Sequence, residues 1–274
     1  MKPIQTPLST STKLTHTVPL FNDLSLYLPV VSALQYATLT RPDLAFAVNK
    51  LHQFMSMSTI NHWQAVQRNL RYLMHTISHG LFISKSTSLL LHEFSNASWA
   101  GCPVDQKSSG GYAIFLGNNL ISYSAHKQRI VARSSTESEY DAFANAATEL
   151  IGLCLLINML QVPLQSPLIL WCDNLGAIYV TDNPIFHTHT KHIEVDFHFI
   201  RDQVAKGWLN LHFVSMYDQL ADIMTRPLTT KCFAAIRDKH RVHCCEPSGL
   251  KGHDRVCCKQ TLVMYAQFCI TVFY

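Results

Sequence analysis

Apolar positions repeat at helical spacing in the first third of the chain and change period near residue 80. Leu44, Val48, Leu51 and Met55 step by four, three and four, just after Pro42 and Asp43, a pair suited to a first helical turn. Val66, Leu70, Leu73 and Ile77 repeat that spacing and predict a second helix. Beyond residue 80 the alternation typical of strands takes over. Residues 89–94, 111–116 and 120–124 read as strands, with Gly117 to Asn119 as the hairpin turn joining the last two. A long helix is predicted over 136–160, its core stripe running through Ala142, Ala146, Leu150, Leu153, Ile157 and Leu160. Residues 168–172 are apolar without interruption, as in a strand covered on both faces. Helices over 174–181 and 192–206, a strand over 209–214 and a short helix over 220–224 follow. Three strands in hairpin order, then alternating helices and strands, predict an α/β fold. Its centre is a mixed five-stranded sheet within residues 86–228, flanked by helices and preceded by a small helical segment.

The same pattern divides the chain. Residues 1–23, rich in Ser, Thr and Pro, are expected as a loose arm, and 24–85 as the helical segment. Residues 86–230 hold the sheet, and 231–274, where apolar periodicity fades, are expected as an unrelated, disordered tail. With 48% hydrophobic and 15% charged residues, the composition is globular rather than disordered. The net charge of +4 hides a pattern. Lys and Arg outnumber Asp and Glu by 7 to 2 over residues 1–90 and by 7 to 3 over 231–274, but fall behind by 8 to 13 over 91–230. An acidic middle between basic flanks suits a protein that holds cations on carboxylates and phosphates on Lys and Arg. Ordinary surface variation would look the same. Met1 to Thr17 is polar and lacks the apolar core of a secretory signal, and the apolar run over 261–274 is too short to span a bilayer. Neither secretion nor a membrane partner is expected. Cys102, Cys154 and Cys172 stand singly, as buried thiols in a reducing compartment do, which fits the cytoplasm or nucleus.

Four positions stand where carboxylate chemistry would gather. Stepping back along the long helix from Ala142, the core stripe lands on Glu139, so a charge enters the buried face near the helix start. A bound metal would account for it; so would a capping box with Thr136 as N-cap and Glu139 reaching back from N3. Asp173 closes the apolar strand, at the carboxyl edge where α/β sheets collect ligands, although Asp173 or Asn174 would equally serve to cap the next helix. Asp222 opens a short helix, where an acid also answers the helix dipole. Asn96, at the end of the first strand, offers an amide oxygen with no charge. Hydrolysis of a phosphodiester by two metals needs several anionic oxygens around cations about 4 Å apart, so three acids and one amide are an incomplete set. Arg68, Arg71 and His75 share a stripe of the second helix that either tracks a phosphate backbone or simply faces solvent. His187, His189, His192 and His198 lack the spacing of a tetrahedral zinc site, as do Cys244-Cys245 and Cys257-Cys258 with His240, His243 and His253.

Taken in order, Phe94-Ser-Asn-Ala-Ser-Trp-Ala-Gly101, Ser134-Ser-Thr-Glu-Ser-Glu-Tyr140, Trp171-Cys-Asp-Asn174 and Gln219-Leu-Ala-Asp-Ile-Met-Thr225 resemble the ribonuclease H domain of copia-type retrotransposon Pol polyproteins. That family usually reads Ser-Asp-Ala-Asp-Trp-Ala-Gly at the first motif. Asp105-Gln-Lys-Ser-Ser-Gly-Gly-Tyr112, Thr190-Lys-His-Ile-Glu194 and Ala221-Asp-Ile-Met-Thr-Arg-Pro-Leu228 are similar to the same family. Ala33-Leu-Gln-Tyr36, Thr40-Arg-Pro-Asp43 and His62-Trp-Gln-Ala-Val66 resemble the end of the reverse transcriptase that precedes the nuclease. The similarity runs from residue 24 to residue 230.

The resemblance implies a ribonuclease H-like fold and two Mg²⁺ ions held by Glu139, Asp173 and Asp222. It also implies an RNA–DNA hybrid as partner, beside the reverse transcriptase portion of a Pol polyprotein. Asn96 falls on the family's first metal-binding Asp, and Ser98 on another acid of that pattern. The expected protein binds hybrid but has lost, or nearly lost, hydrolysis of the RNA strand. An active two-metal endonuclease and a non-catalytic scaffold remnant are the alternatives. Where some ribonucleases H carry a His before the last carboxylate, this chain carries Tyr217. No paired Asp-Asp polymerase motif is present, which excludes DNA synthesis by this chain.

Overall fold

The computed structural model describes residues 4–12, 14–15, 19–86, 88–182, 194–244 and 255–257. They divide into two compact units: Ser86–Arg226 form one, and the residues before and after them form the other.

The flanking unit opens with helices α1 (Leu24–Ala37), α2 (Ala45–His52) and α3 (Ile60–His75) and a strand, β1 (His79–Ser84). α2 and α3 bury the stripes the sequence predicts, with Val48 and Leu51 inside on one and Val66 and Leu73 on the other. α1 has no such stripe to read, because apolar residues occupy nearly every face of it and Pro29 sits inside. Asp23 starts it, accepting the Leu26 N–H at 3.0 Å. The described residues of the arm are not loose. Thr6, Pro7, Leu8 and Leu14 are buried. Arg68 donates to the Thr6 carbonyl at 3.1 Å and to its hydroxyl at 2.9 Å, and the Asn69 amide donates to the Pro7 carbonyl at 3.2 Å. Two polar side chains of α3 hold the arm, a tertiary fact that its Ser, Thr and Pro content does not reveal.

In the second unit, β2 (Leu90–Ser98), β3 (Ser109–Leu116) and β4 (Asn119–Lys127) make an antiparallel meander. Gly117 turns the last hairpin with φ +58°, a conformation glycine adopts without strain. α4 (Ser135–Met159) leads to β5 (Gln165–Cys172), and α5 (Leu175–Asp182), α6 (Glu194–Ala205), β6 (Leu209–Phe213) and α7 (Asp222–Thr225) follow. The order is β4-β3-β2-β5-β6, with β2 parallel to β5 and β5 parallel to β6. This is the mixed five-stranded sheet of a ribonuclease H-like fold, and it brings the carboxyl ends of β2 and β5 to the same edge. α4 is long and apolar enough, by length and composition, to cross a membrane. In this fold Phe143, Ala146, Ala147 and Leu150 instead bury one side of it against Leu91, Ile114, Leu168 and Leu170 of the sheet.

Glu93 enters that core two residues after Leu91. It is fully buried, and neither carboxyl oxygen has a hydrogen-bond partner among the described residues. Burial first, and then the charge of Glu149, push its carboxyl well above 4.5. A group whose folded pKa is raised gives its full stability below the unfolded value and loses it as pH rises toward the folded one. Glu93→Met is therefore expected to stabilise the protein by about 1–3 kcal/mol near neutral pH, by removing an unsatisfied buried group. Urea unfolding between about pH 5 and pH 8 checks this, since the substitution should also flatten the decline with pH. A less stable variant would mean that the carboxyl has a partner in solution.

After Arg226 the chain returns to the flanking unit. α8 (Thr230–Lys239) buries Phe233 and Ile236, and the Phe233 ring stands edge-on to Tyr72 with centroids 5.8 Å apart. β7 (Val242–Cys244) and β8 (Arg255–Cys257) pair antiparallel with opposite edges of β1. The expectation of an unrelated, disordered tail over 231–274 is corrected here for residues 231–244, which form helix and strand. The signal is too sparse for a period. α8 offers one apolar pair a turn apart, and the partner of β7 lies far back in the sequence.

Candidate active site

Local rules decide which carboxylates stay uncommitted. Ser134, not Thr136, caps α4: its hydroxyl accepts the Glu137 N–H at 3.1 Å, and the Glu137 carboxylate accepts the Arg133 N–H at 2.7 Å. The capping role considered for Glu139 is thus filled by Ser134 and Glu137. Glu139, only 7% exposed, instead turns under the end of β2, where one carboxyl oxygen accepts the Ala97 N–H at 2.9 Å. Burial first, and then the charge of Asp173, push its carboxyl up to about 9, against the pull of that N–H.

The same exchange happens at β5. Asn174 caps α5, its side-chain oxygen accepting the Ala177 N–H at 3.2 Å. Asp173 is left half-buried at the strand end, its carboxyl raised by burial and held back by the Gln219 side chain and Arg226. Gln219 is fully buried and also donates to the Ser95 carbonyl at 3.0 Å, which ties the loop before α7 to β2.

α7 approaches β3 at a glycine. A Cβ on Gly111 would lie 2.6 Å from Met224 Cβ and 2.9 Å from the Ser124 carbonyl, so only glycine admits the helix at this distance. That approach sets Asp222 beside Asn96. The Asn96 amide donates to one oxygen of Asp222, and the Arg226 guanidinium donates to the other. Burial raises the Asp222 carboxyl, and the hydrogen bond and charge of Arg226 oppose it. Both oxygens of this buried acid are engaged by the protein itself.

Asn96, Glu139, Asp173 and Asp222 therefore meet at one rim of the sheet. One ligand atom each from Glu139, Cys172 and Asp173 lie within 4.8 Å of one another. The sequence places Cys172 among the single buried thiols and Arg226 in a family motif, and assigns neither to the site. Their roles come from packing: Cys172 ends the face of β5 that meets α4, and Arg226 lies four residues after Asp222. Burial, and then Glu139, push the Cys172 thiol up to about 12. Arg68 and Arg71 belong to the other unit, where Arg68 holds the arm and Arg71 is exposed. His198 and Tyr217 are exposed, whereas His187, His189, His192, Cys245, His253 and Cys258 lie outside the described residues.

This donor set is small and incomplete for a metal centre. Glu139 and Asp173 offer carboxylates with Cys172 beside them, but the ground around Asp222 is held by a neutral amide and a fixed positive charge.

No protein-family model matches the chain. It is 48% identical over 233 residues to the retrovirus-related Pol polyprotein from transposon RE2 of Arabidopsis thaliana, a match covering 85% of this chain and 16% of that one. The corresponding polyprotein from transposon RE1 of the same plant is 45% identical over 248 residues, covering 90% and 17%. That from transposon TNT 1-94 of Nicotiana tabacum is 32% identical over 250 residues, covering 88% and 19%. The chain thus spans about a sixth of the length of these curated relatives. Fold and rim together define a ribonuclease H-like domain with an incomplete set of metal-binding acids. The chain belongs to the Pol polyproteins of copia-type retrotransposons, of which it carries the ribonuclease H region and the end of the preceding reverse transcriptase.

Proposed function

We propose that this domain binds an RNA–DNA hybrid along the rim formed by β2, β5, α4 and α7, and cleaves the RNA strand poorly or not at all. One observation carries the reading: Asp222, the last acid of the set, is held by the Asn96 amide and the Arg226 guanidinium. Where an acid at position 96 would add a charge for a metal to answer, the amide donates a hydrogen bond and asks for no cation. Glu139 and Asp173 remain to hold a single divalent ion, which would polarise a phosphodiester. The chain's own part is to fix the two carboxylates through the Ala97 N–H and the Gln219 side chain. In a longer Pol polyprotein the reverse transcriptase portion would deliver the hybrid.

The test uses the full chain, a labelled RNA–DNA hybrid and Mg²⁺. Anisotropy should report binding that weakens steeply with salt, as phosphate contacts do, while gels show cleavage near background. Robust cleavage would instead support an active endonuclease. Absence of binding at low salt would leave only a scaffold.

A further inference from the structure

We propose that Cys102 and Lys127 form a peroxide-driven covalent clasp. Oxidation of the Cys102 sulfur lets the Lys127 nitrogen bond to it, tying the loop after β2 to the end of β4. The proposal is independent of the reading above and involves neither nucleic acid nor metal.

The loop between β2 and β3 is folded on its own backbone. The Cys102 N–H donates to the Lys107 carbonyl at 3.1 Å, and the Gln106 N–H to the Cys102 carbonyl at 2.9 Å. Ala100 and Gln106 hold φ at 50° and 56°, a region that residues other than glycine occupy only where the surrounding structure fixes it. This conformation sets the Cys102 sulfur and the Asp105 carboxylate against Lys127, the last residue of β4. The Lys127 ammonium donates to the sulfur at 3.3 Å and pairs with Asp105 at 2.8 Å. The thiol in turn hydrogen-bonds the Asp105 side chain, whose carboxyl, against burial, is held down to about 2 by Lys127, Cys102 and the Lys107 N–H.

Such surroundings favour oxidation at this sulfur. The thiolate is the form that attacks peroxide, and a neighbouring cation supports its charge. Cys172 has the opposite setting, with the charges of Glu139 and Asp173 set against a thiolate after burial itself. The Cys154 sulfur meets the neutral Asn158 amide at 3.6 Å. Cys102 is 2% exposed, but the Lys127 and Asp105 side chains beside it are 22% and 36% exposed. Parting a partly exposed ion pair costs about 1 kcal/mol or less, so a molecule as small as hydrogen peroxide reaches the sulfur when Lys127 swings aside.

Hydrogen peroxide, the oxidant, takes the thiol to a sulfenic acid and leaves as one water. The Lys127 ammonium gives a proton to solvent, and its nitrogen attacks the oxidised sulfur. An N–S bond forms, the S–O bond breaks, and the departing hydroxide takes a second proton from nitrogen and leaves as water. Thiol, ammonium and one peroxide thus give a sulfenamide, two waters and a proton. Sulfur loses two electrons and the peroxide gains them. Sulfenic acids condense in this way with backbone nitrogen, and here a side-chain nitrogen is already in contact. Burial would lower the Lys127 ammonium, but hydrogen bonds and charges from Asp105 and Cys102 raise it above 10.5, so the second step calls for mildly alkaline buffer.

The experiment treats the reduced full chain with hydrogen peroxide in such a buffer, blocks the remaining thiols, and maps tryptic peptides by mass without reductant. Residues 86–107 contain one cysteine, Cys102, and residues 108–129 one lysine, Lys127. These two peptides should appear joined, lighter by two hydrogen atoms than their sum, uncut after Lys127 and separated by dithiothreitol. Lys127→Arg keeps the charge beside Asp105 but should lose the joined pair and accumulate a Cys102 sulfenic acid that dimedone traps. Cys102→Ser should lose both products, and the unaltered chain treated in urea should give no joined pair. Circular dichroism checks folding, and if Cys102→Ser does not fold, Lys127→Arg decides. Complete cleavage after Lys127, a joined pair carrying an added oxygen, or equal joining in urea overturns the proposal.

Discussion

Asn96→Asp is expected to raise Mg²⁺-dependent cleavage of an RNA–DNA hybrid by about 10²–10³, the usual scale for one preorganised electrostatic contact in a reacting site. In the chain as it stands, the Asn96 amide is a donor to Asp222. A carboxylate in its place cannot donate, so two acids would face each other in a buried pocket, and that repulsion is relieved by a cation. The substitution therefore removes a protein-internal contact and creates a demand for metal in one step. Single-turnover cleavage by the full chain and its Asn96→Asp form gives the comparison. Equal and robust rates would show that position 96 has no part in the chemistry. If neither form cuts, Arg226 on Asp222 and the Ser at position 98 are the next obstacles, and Arg226→Gln combined with Asn96→Asp should then release activity.

The largest stability effect lies in the other unit. Arg41→Ala is expected to lower its unfolding free energy by about 3–5 kcal/mol, because it leaves a buried carboxylate without its partner. Arg41 and Asp43 have fully buried side chains. The guanidinium donates to both Asp43 oxygens at 2.9 and 2.7 Å, and to the Thr76 carbonyl and hydroxyl at 2.9 and 2.8 Å. Tyr72 adds its hydroxyl to Asp43 at 2.6 Å. Burial alone would raise the Asp43 carboxyl, but the charge and hydrogen bonds of Arg41, with that of Tyr72, outweigh it and leave the carboxyl below 3.8. A depressed folded pKa contributes stability above the unfolded value and loses it as pH falls through the folded one, so the deficit should shrink in strong acid. Chemical denaturation of the full chain, followed by probes in each unit, makes the measurement. A loss under about 1 kcal/mol, the scale of an exposed pair, would sink the assignment. Arg41→Met with Asp43→Leu should recover part of what either change alone loses.

The sheet and α4 were legible because each is long and follows one period: the predicted helix differs from the observed one by a residue at each end. Glu139 was legible as a step on that helix's stripe, yet its freedom from capping depends on Ser134 winning the cap. Sequence alone leaves that contest open, since Ser134 and Thr136 are both good caps with a Glu three residues on. Asp173 was visible as a strand end, whereas Cys172 was not, because adjacent strand residues ordinarily face opposite sides and only the turn after β5 brings the pair together. The Asp222 side chain could be placed at a helix start, but not the Asn96 and Arg226 contacts, one of which spans the whole sheet domain. In the flanking unit, α1 was hidden by too many apolar residues and α8 by too few.

The return of the chain after Arg226 has a consequence for how the two units lose structure. The sheet unit is an insertion, entering at Ser86 and leaving at Arg226, and the halves of the other unit are β1 with its helices and α8 with β7. While the insert is folded, a fixed length of chain joins those halves. Once it unravels, the same halves are tethered by a long flexible loop whose closure costs several multiples of RT, growing with the logarithm of its length. The two units are thus coupled through chain entropy alone, whatever their surfaces do. A ligand that tightens the insert should delay melting of the flanking helices it never touches, and a single cut in the chain between α5 and α6 should weaken that protection.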